Sequence, residues 1–555
     1  MPGQAPTADA ASALSRGWQA AVARPVLAIL TLVILQHGLT IGLKDLWFSD
    51  EVRHGDVLRN LLEGGDWLAL KLNGAFYPDK PPLYFWYLGA LALVFGSTAP
   101  WVLYVGLAGT VLMLLLATHH MARRITGDDE LALIAVLILA SGFYWLGLTH
   151  YARMDMMFAA AIALAWTQVW RALDGPVNRR AMLWAFGWMA VAAMIKGPVG
   201  PMLPLLSLAG WALWQRRAAD LLDRSVLGGV LLLAGVIGVW AGGVVLVAGP
   251  EFFAHLFQSQ IVDRGLNRGG GGLWGWLRYG LTLPLVFLPW TLLFLVPRGA
   301  SPLPEQRGTA FLWLTAGLGA LSLSLVSEKH EYYLVPLFVP LAILAAGRYR
   351  TLSAGRLRLF WGLAVAVSMS LGALFVVAPR LLDLPGVDLG DYGPLLGTLA
   401  LPGVVLAAGA MAVWVLRRHA QAALLGWAGL VSVFGVVLAV SVLPPVNAVL
   451  SPRGVADAMS AHVAAGHAPG AFLGGDGTLA YHMGRPYADP WSSAGFTAWL
   501  DATPRAVAVL GADDWAQLAS GYPGVGIVEC TRLAGRALVI VARPAPEAKR
   551  ECAAP

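Results

Sequence analysis

KDLWFSDEVRHGDVLRNLLEGGDWLALKLNGAFYPDKPPL, residues Lys44 to Leu83, is the stretch on which the reading of this chain turns. It follows one apolar run (25–43) and precedes two more (83–98 and 100–122). Asp45, Asp50, Glu51, Arg53, His54, Asp56, Asp66, Asp79 and Lys80 are gathered in it. After Asp50-Glu51, the apolar residues Val57, Leu58, Leu61 and Leu62 recur at helical spacing opposite Arg53, Asp56, Arg59, Asn60 and Glu63. That pattern predicts a short amphipathic helix able to lie on a membrane, with two carboxylates at its N-terminus. Gly64-Gly65 ends the helix and Asn73-Gly74 makes a turn. Lys80-Pro81-Pro82 then stops the chain where the next apolar run begins. The stretch reads as a built loop between membrane spans.

Composition agrees. Of 555 residues, 58% are hydrophobic and only 13% charged, with mean hydropathy +0.66. A soluble protein carries about 25% charged residues. Uncharged runs of about twenty residues predict a polytopic α-helical membrane protein. The net charge of +6 needs no nucleic-acid partner, because arginines in the joints between spans account for it. Six lysines stand beside 32 arginines, so Lys80, Lys196 and Lys329 are set apart. The run 25–43 is too long for a removable signal peptide and is read as a retained first span.

Uncharged stretches fall near 25–43, 83–98, 100–122, 131–149, 156–170, 181–195, 197–215, 225–250, 279–297, 308–327, 332–347, 359–379, 392–416 and 420–443. Arginine-rich joints (Arg123-Arg124, Arg179-Arg180, Arg216-Arg217, Arg348 to Arg358, Arg417-Arg418) alternate with arginine-poor ones. The positive-inside rule puts the first set in the cytoplasm and the second outside. Parity then requires that 83–98 and 100–122 supply an odd number of crossings. The expectation is about 13 transmembrane helices. Residues 1–24 form a cytoplasmic tail, 25–443 the transmembrane domain with outer loops 44–82 and 251–278, and 444–555 a small periplasmic α/β domain. Within the last, short apolar runs at Ala506–Leu510 and Ala537–Val541 alternate with expected helices at 452–465 and 511–519. Cys530 and Cys552 both lie there, and are read either as a pair or as two free thiols.

Under this topology Asp50, Glu51, Lys80, Asp155, Lys196, Arg264 and Lys329 share one membrane face. Each has a bland reading, as a boundary charge or a snorkelling anchor. Together they suit a reaction that moves an anionic group at the outer leaflet: carboxylates orient or activate an acceptor, and cations hold a phosphate. Asp50, Glu51 and Asp79 are also a conceivable site for a divalent cation, although no metal-ligand spacing is present. The 251–278 loop, with its Gly269–Gly272 run, is read as a cover for such a site or as a plain linker. The competing class is a lipid flippase or transporter, whose acids belong near mid-membrane on broken helices.

Several of these residues form known motifs. Asp50-Glu51-Val52-Arg53, Gly65-Asp66-Trp67, Leu72-Asn73-Gly74, Tyr77 and Lys80-Pro81-Pro82-Leu83 resemble the first outer loop of the bacterial lipid A aminoarabinose transferases. That family lies within the GT-C superfamily, together with the protein O-mannosyltransferases. Ala152-Arg153-Met154-Asp155-Met156, Lys196-Gly197, Leu288-Pro289-Trp290, Ser327 with Lys329, Tyr333 and Pro336, Ser451-Pro452-Arg453 and Gly484-Arg485-Pro486 extend the resemblance nearly end to end. It implies a GT-C fold and a bacterial inner-membrane enzyme. Such an enzyme moves a sugar, with a lean to 4-amino-4-deoxy-L-arabinose, from a polyprenyl-phosphate carrier to a lipid A phosphate or related acceptor at the periplasmic face. Transfer to a protein or another glycan is the alternative within the superfamily. The resemblance makes Asp50 and Asp155 the catalytic acids and puts Arg53, Lys80, Lys196 and Lys329 on donor or acceptor phosphates; Arg264 joins them as a phosphate-binding candidate through the shared membrane face. Glu51, His54, Tyr77 and Tyr333 become substrate contacts. His54 departs from the family, which tends to have Tyr there. The resemblance implies no particular cofactor.

Overall fold

The computed structural model describes residues 8–47, 50–252, 272–297, 306–326, 329–383, 390–474, 477–544 and 552. Among them, seven helices are long and apolar enough to cross a membrane. An eighth is added if Ser15–Ala23 and Pro25–His37, bent by 107° at Arg24-Pro25, count as one span. Several uncharged stretches are broken where a continuous span was expected. The 131–149 stretch divides into helices Asp129–Leu139 and Phe143–Leu148, and 279–297 into the end of Gly272–Val286 and the short Leu292–Leu295. Lack of charge does not by itself separate a spanning helix from a buried, interrupted one.

The two helices of the 83–98 and 100–122 stretches differ twofold in length. Leu83–Phe95 has 13 residues and Pro100–Thr126 has 27. At 1.5 Å per residue the first is about 20 Å long, short of the roughly 30 Å hydrocarbon core, and the second about 40 Å. The short helix starts directly after Pro82, as the proline stop predicts, and ends on a left-handed Gly96.

The centre of the bundle is packed with large side chains. Trp290, Phe360, Trp361 and Trp427 meet at ring separations of 4.9–6.3 Å. Outward faces stay aliphatic, as on Arg224–Ala248, where Leu231, Val239 and Leu246 are exposed. This is the pattern of helices whose other solvent is lipid.

The loop 44–82 holds a two-stranded ribbon, β1 (Lys71–Leu72) with β2 (Ala75–Phe76). Beyond the last long helix, Ala420–Leu450, the chain builds a sheet whose four strands lie side by side as β3 (Ala468–Phe472), β4 (Ala506–Gly511), β6 (Arg536–Arg543) and β5 (Gly526–Leu533). β3 runs parallel to β4, and β6 pairs antiparallel with β4 and with β5. The expected strands and the helices Arg453–Ala464 and Ala512–Leu518 are all present. β4 is buried on both faces. Val507 and Val509 meet Met459 and Leu479, while Ala506, Ala508 and Leu510 meet Phe496, Leu500 and Trp515. A continuous apolar run is what such a strand requires. Gly470 in β3 admits the Trp499 ring, which would lie 2.3 Å from a Cβ there. Cys530 and Cys552 form a disulfide.

One expectation is corrected. The amphipathic segment is helical over Asp50–Gly64, but it does not lie open on a membrane. Glu51, His54, Asp56 and Arg59 are buried along with Val52, Val57, Leu58 and Leu61. The polar side is covered by the C-terminal unit. Tyr481 packs so closely on Gly55 that a Cβ would meet its ring at 2.9 Å, and Arg59 donates to the Gly484 carbonyl at 3.2 Å. Asn73 and the Tyr487 backbone exchange two hydrogen bonds of 2.9 Å, with Asn73 in the left-handed conformation. Asp45 accepts from Arg453 and Ser451, both at 2.8 Å.

Candidate active site

Helix ends supply the charged groups, in the polarity that the helix dipole favours. Asp50 and Glu51 open the loop helix and Asp155 opens the span Asp155–Leu173, while Lys196 closes the helix Arg179–Lys196. Tertiary packing draws these ends together into an alternating chain of charges. Lys80 Nζ lies 3.1 Å from Asp79, Asp79 3.9 Å from Arg53, and Arg53 3.8 Å from Asp50. Asp50 pairs with Arg153, Arg153 Nε donates to Asp155 at 3.0 Å, and Asp155 pairs with Lys196. Among the described residues, four cations thus alternate with three carboxylates between Lys80 and Lys196. Lone buried charges are costly, and each group here faces an opposite one.

Aromatic rings line this chain. Tyr332 lies 3.8 Å from the Arg153 guanidinium and Tyr333 lies 4.6 Å from the Lys196 ammonium, both as ring-face contacts. They come from the turn Glu331–Leu334. Tyr77 donates to Asp79 at 3.3 Å and its ring lies 5.5 Å from Arg53. Lys329, in the same segment as the two tyrosines, donates to the Val326 carbonyl at 2.7 Å. Arg264 lies outside the described residues, as does most of the expected 251–278 loop; helix Gly272–Val286 begins within that stretch.

Glu51 and His54, read from the sequence as substrate contacts, are enclosed by protein partners. Glu51 Oε1 accepts from the Ala152 N–H at 2.7 Å and the Tyr104 hydroxyl at 3.1 Å. Its Oε2 pairs with Lys44 and accepts from the Trp47 N–H at 3.2 Å. His54 Nδ1 meets the Ala152 carbonyl at 3.2 Å, with Tyr84 and Phe85 edge-on to the ring. The suggested cation site is not assembled either. Among the described residues no three His, Cys, Asp or Glu side chains converge as a metal would need: Glu51 turns to Lys44, and Asp50 and Asp79 have Arg53 between them, with Arg153 and Lys80 as their other partners.

Sequence reasoning saw Arg153 only as a neighbour of Asp155, and missed Lys44 and Tyr332. The spacing of Arg153 and Asp155, two residues apart at a span boundary, was the available signal for the first. Nothing local marks Lys44 as buried.

Burial pushes the His54 imidazole down to about 4, with Arg53 and Lys80 adding to the effect and the Ala152 carbonyl and Asp155 opposing it. The unfolded chain protonates this group below about 6.5, so between about 6.5 and 4 the unfolded state binds more protons. Stability that is full above that window should be lost as the pH falls through it. Thermal unfolding followed from about pH 7 to 4.5 is expected to show a steeper decline for the wild type than for His54→Asn. Parallel declines would remove His54 as a cause.

A bundle of long apolar helices with charges gathered at helix ends has counterparts among known proteins. Residues 79–241 match the family model of dolichyl-phosphate-mannose-protein mannosyltransferases. The solved structure of ArnT from Cupriavidus metallidurans bound to undecaprenyl phosphate superposes with a TM-score of 0.75. It is 20% identical and covers 94% of this chain and 98% of that one, a likeness of fold. In sequence the chain is similar to the undecaprenyl phosphate-alpha-4-amino-4-deoxy-L-arabinose arabinosyl transferases of Pseudomonas. It is 31% identical over 306 residues to that of Pseudomonas paraeruginosa, covering 54% of this chain and 55% of the relative. A second relative, from Pseudomonas fluorescens, is 28% identical over 352 residues, 62% of each chain. The alignments thus span between about half and three fifths of these relatives.

Proposed function

We propose that this multi-pass membrane protein is a polyprenyl-phosphate-dependent glycosyltransferase. It moves 4-amino-4-deoxy-L-arabinose from its lipid carrier to a lipid A phosphate or related acceptor. The observation that carries the reading is the alternating charge chain from Lys80 to Lys196, on a fold shared with a transferase solved with undecaprenyl phosphate. In such a transfer the bond between the anomeric carbon and the carrier phosphate breaks, and negative charge gathers on the departing phosphate. Arg53, Lys80 and Lys196 are the groups to receive it, with Lys329 and Arg264 as further candidates. The acceptor oxygen attacks the anomeric carbon. An acceptor phosphate is already ionised, so Asp50 and Asp155 then orient nucleophile, sugar amine and cations. A hydroxyl acceptor would instead pass its proton to Asp50.

We further place the site at the periplasmic face of a bacterial inner membrane, with about thirteen crossings. The loop 44–82 and the unit 444–555 then lie outside, and the tail 1–24 inside. Contacts between the loop and the C-terminal unit, from Asp45–Arg453 to Asn73–Tyr487, support a common side for both.

The test is transfer of radiolabel from a panel of polyprenyl-phosphate sugars by the purified protein. Acceptors are lipid A, dephosphorylated lipid A, an oligosaccharide and a peptide. Label in lipid A that requires its phosphates is expected. Transfer only to glycan or peptide would overturn the acceptor, and no transfer from any donor would overturn the enzyme.

A further inference from the structure

The loop helix carries two interleaved pairs at i,i+3 spacing, a separation that puts residues on one face of a helix. Asp50 and Arg53 enter the charge chain. Glu51 and His54 instead reach behind it, to the backbone of Ala152. Glu51 accepts from the Ala152 N–H at 2.7 Å, and His54 Nδ1 lies 3.2 Å from the Ala152 carbonyl. Against a carbonyl this nitrogen must be the one that bears hydrogen, so the ring donates. Ala152 is fully buried, so these two side chains serve backbone groups that bulk water does not reach. The very next residue, Arg153, joins Asp50 to Asp155 and stacks on Tyr332.

We propose that His54 and Glu51 are positioning residues: together they clamp both backbone polar groups of Ala152, and so hold the Arg153 guanidinium between the two acids. The clamp rests on the transferase reading above. It gives His54 a task that needs a donor at one atom and not merely a ring. It also accounts for two ionisable side chains buried beside the charge chain without entering it. Misplacement of a catalytic group by about 1 Å can cost roughly a hundredfold in rate, which is the scale expected when the clamp opens.

The decisive comparison is His54→Asn against His54→Phe. Asn presents an N–H the same number of bonds from the backbone as Nδ1, but leaves part of the ring's space empty. Phe fills the space and contacts Tyr84 and Phe85, but donates nothing. The clamp predicts that His54→Asn stays within about tenfold of wild-type kcat while His54→Phe falls about a hundredfold, with donor KM changed little. A packing role predicts the reverse order. Hydrogen exchange over residues 148–156 should rise in His54→Phe more than in His54→Asn. Glu51→Asp tests the other jaw, keeping the charge opposite Lys44 but drawing the carboxylate back from Ala152. It too should lose kcat rather than donor affinity. Equal kcat in the two His54 variants, or Phe above Asn, would overturn the clamp while leaving the transferase reading intact. A wild-type protein inactive on every polyprenyl-phosphate donor would overturn that reading, and the clamp's purpose with it.

Discussion

Asp50→Asn is expected to lower turnover by at least about a hundredfold if the carboxylate acts as a base. Its expression and thermal unfolding should be little changed. The change keeps the shape of the side chain and removes its charge at the centre of the charge chain, between Arg53 and Arg153. Arg153 then loses one of its two carboxylates, so orientation suffers even where no proton is moved. Asp155→Asn should also impair turnover, because it withdraws the shared partner of Arg153 and Lys196. Asp128→Asn is the control. Asp128 caps the helix Asp129–Leu139 through the Leu131 N–H and pairs with Arg350, and asparagine can keep the cap. It sits past the far end of Pro100–Thr126, about 40 Å of helix from the Thr98 carbonyl that Tyr481 reaches. The measurement is label transfer at matched protein levels. Wild-type turnover in Asp50→Asn would take this residue out of the mechanism.

Local chemistry made parts of this site legible. The helix from Asp50, its end at Gly64-Gly65 and the stop at Pro81-Pro82 follow from side-chain spacing and backbone restriction, and the structure has all three. Grouping Asp50, Lys80, Asp155 and Lys196 needed only the alternation of arginine-rich joints, which sorts charges by membrane face before any contact is known. Partners distant in sequence were not legible. Tyr487 lies 414 residues beyond Asn73, and no periodicity in the loop announces that its polar side will be covered. The same blindness assigned Glu51 and His54 to substrate. A carboxylate and an imidazole at a span boundary look alike whether they face a ligand or a buried backbone. The span count suffers from a related ambiguity, since Phe143–Leu148 is as uncharged as a true crossing but only six residues long.

Glu51→Gln should be the most destabilising single change in the loop. Glu51 and Lys44 are both buried, and burial already pushes the Lys44 ammonium below its usual range while Glu51 opposes that push. Breaking a buried ion pair by removing one partner typically costs about 3–5 kcal/mol, because the remaining charge is stranded. Glutamine must also turn an N–H₂ toward one of its present donors: Lys44 and the Trp47 N–H on one side, or Tyr104 and the Ala152 N–H on the other. The Trp47 face of the Lys44 ammonium, at 3.9 Å, cannot replace a carboxylate. Lys44→Met should recover part of the loss in the double variant, since it removes the stranded cation and keeps an unbranched apolar stem of similar length. The recovery should be incomplete, because the amide N–H₂, turned to the side that Lys44 vacates, still meets the Trp47 N–H, a second donor. Thermal unfolding of the two single variants and the double variant, in the same detergent, measures the coupling. Strictly additive losses would mean that Lys44 and Glu51 are adjacent without depending on each other, and that the loop is held by its backbone contacts alone.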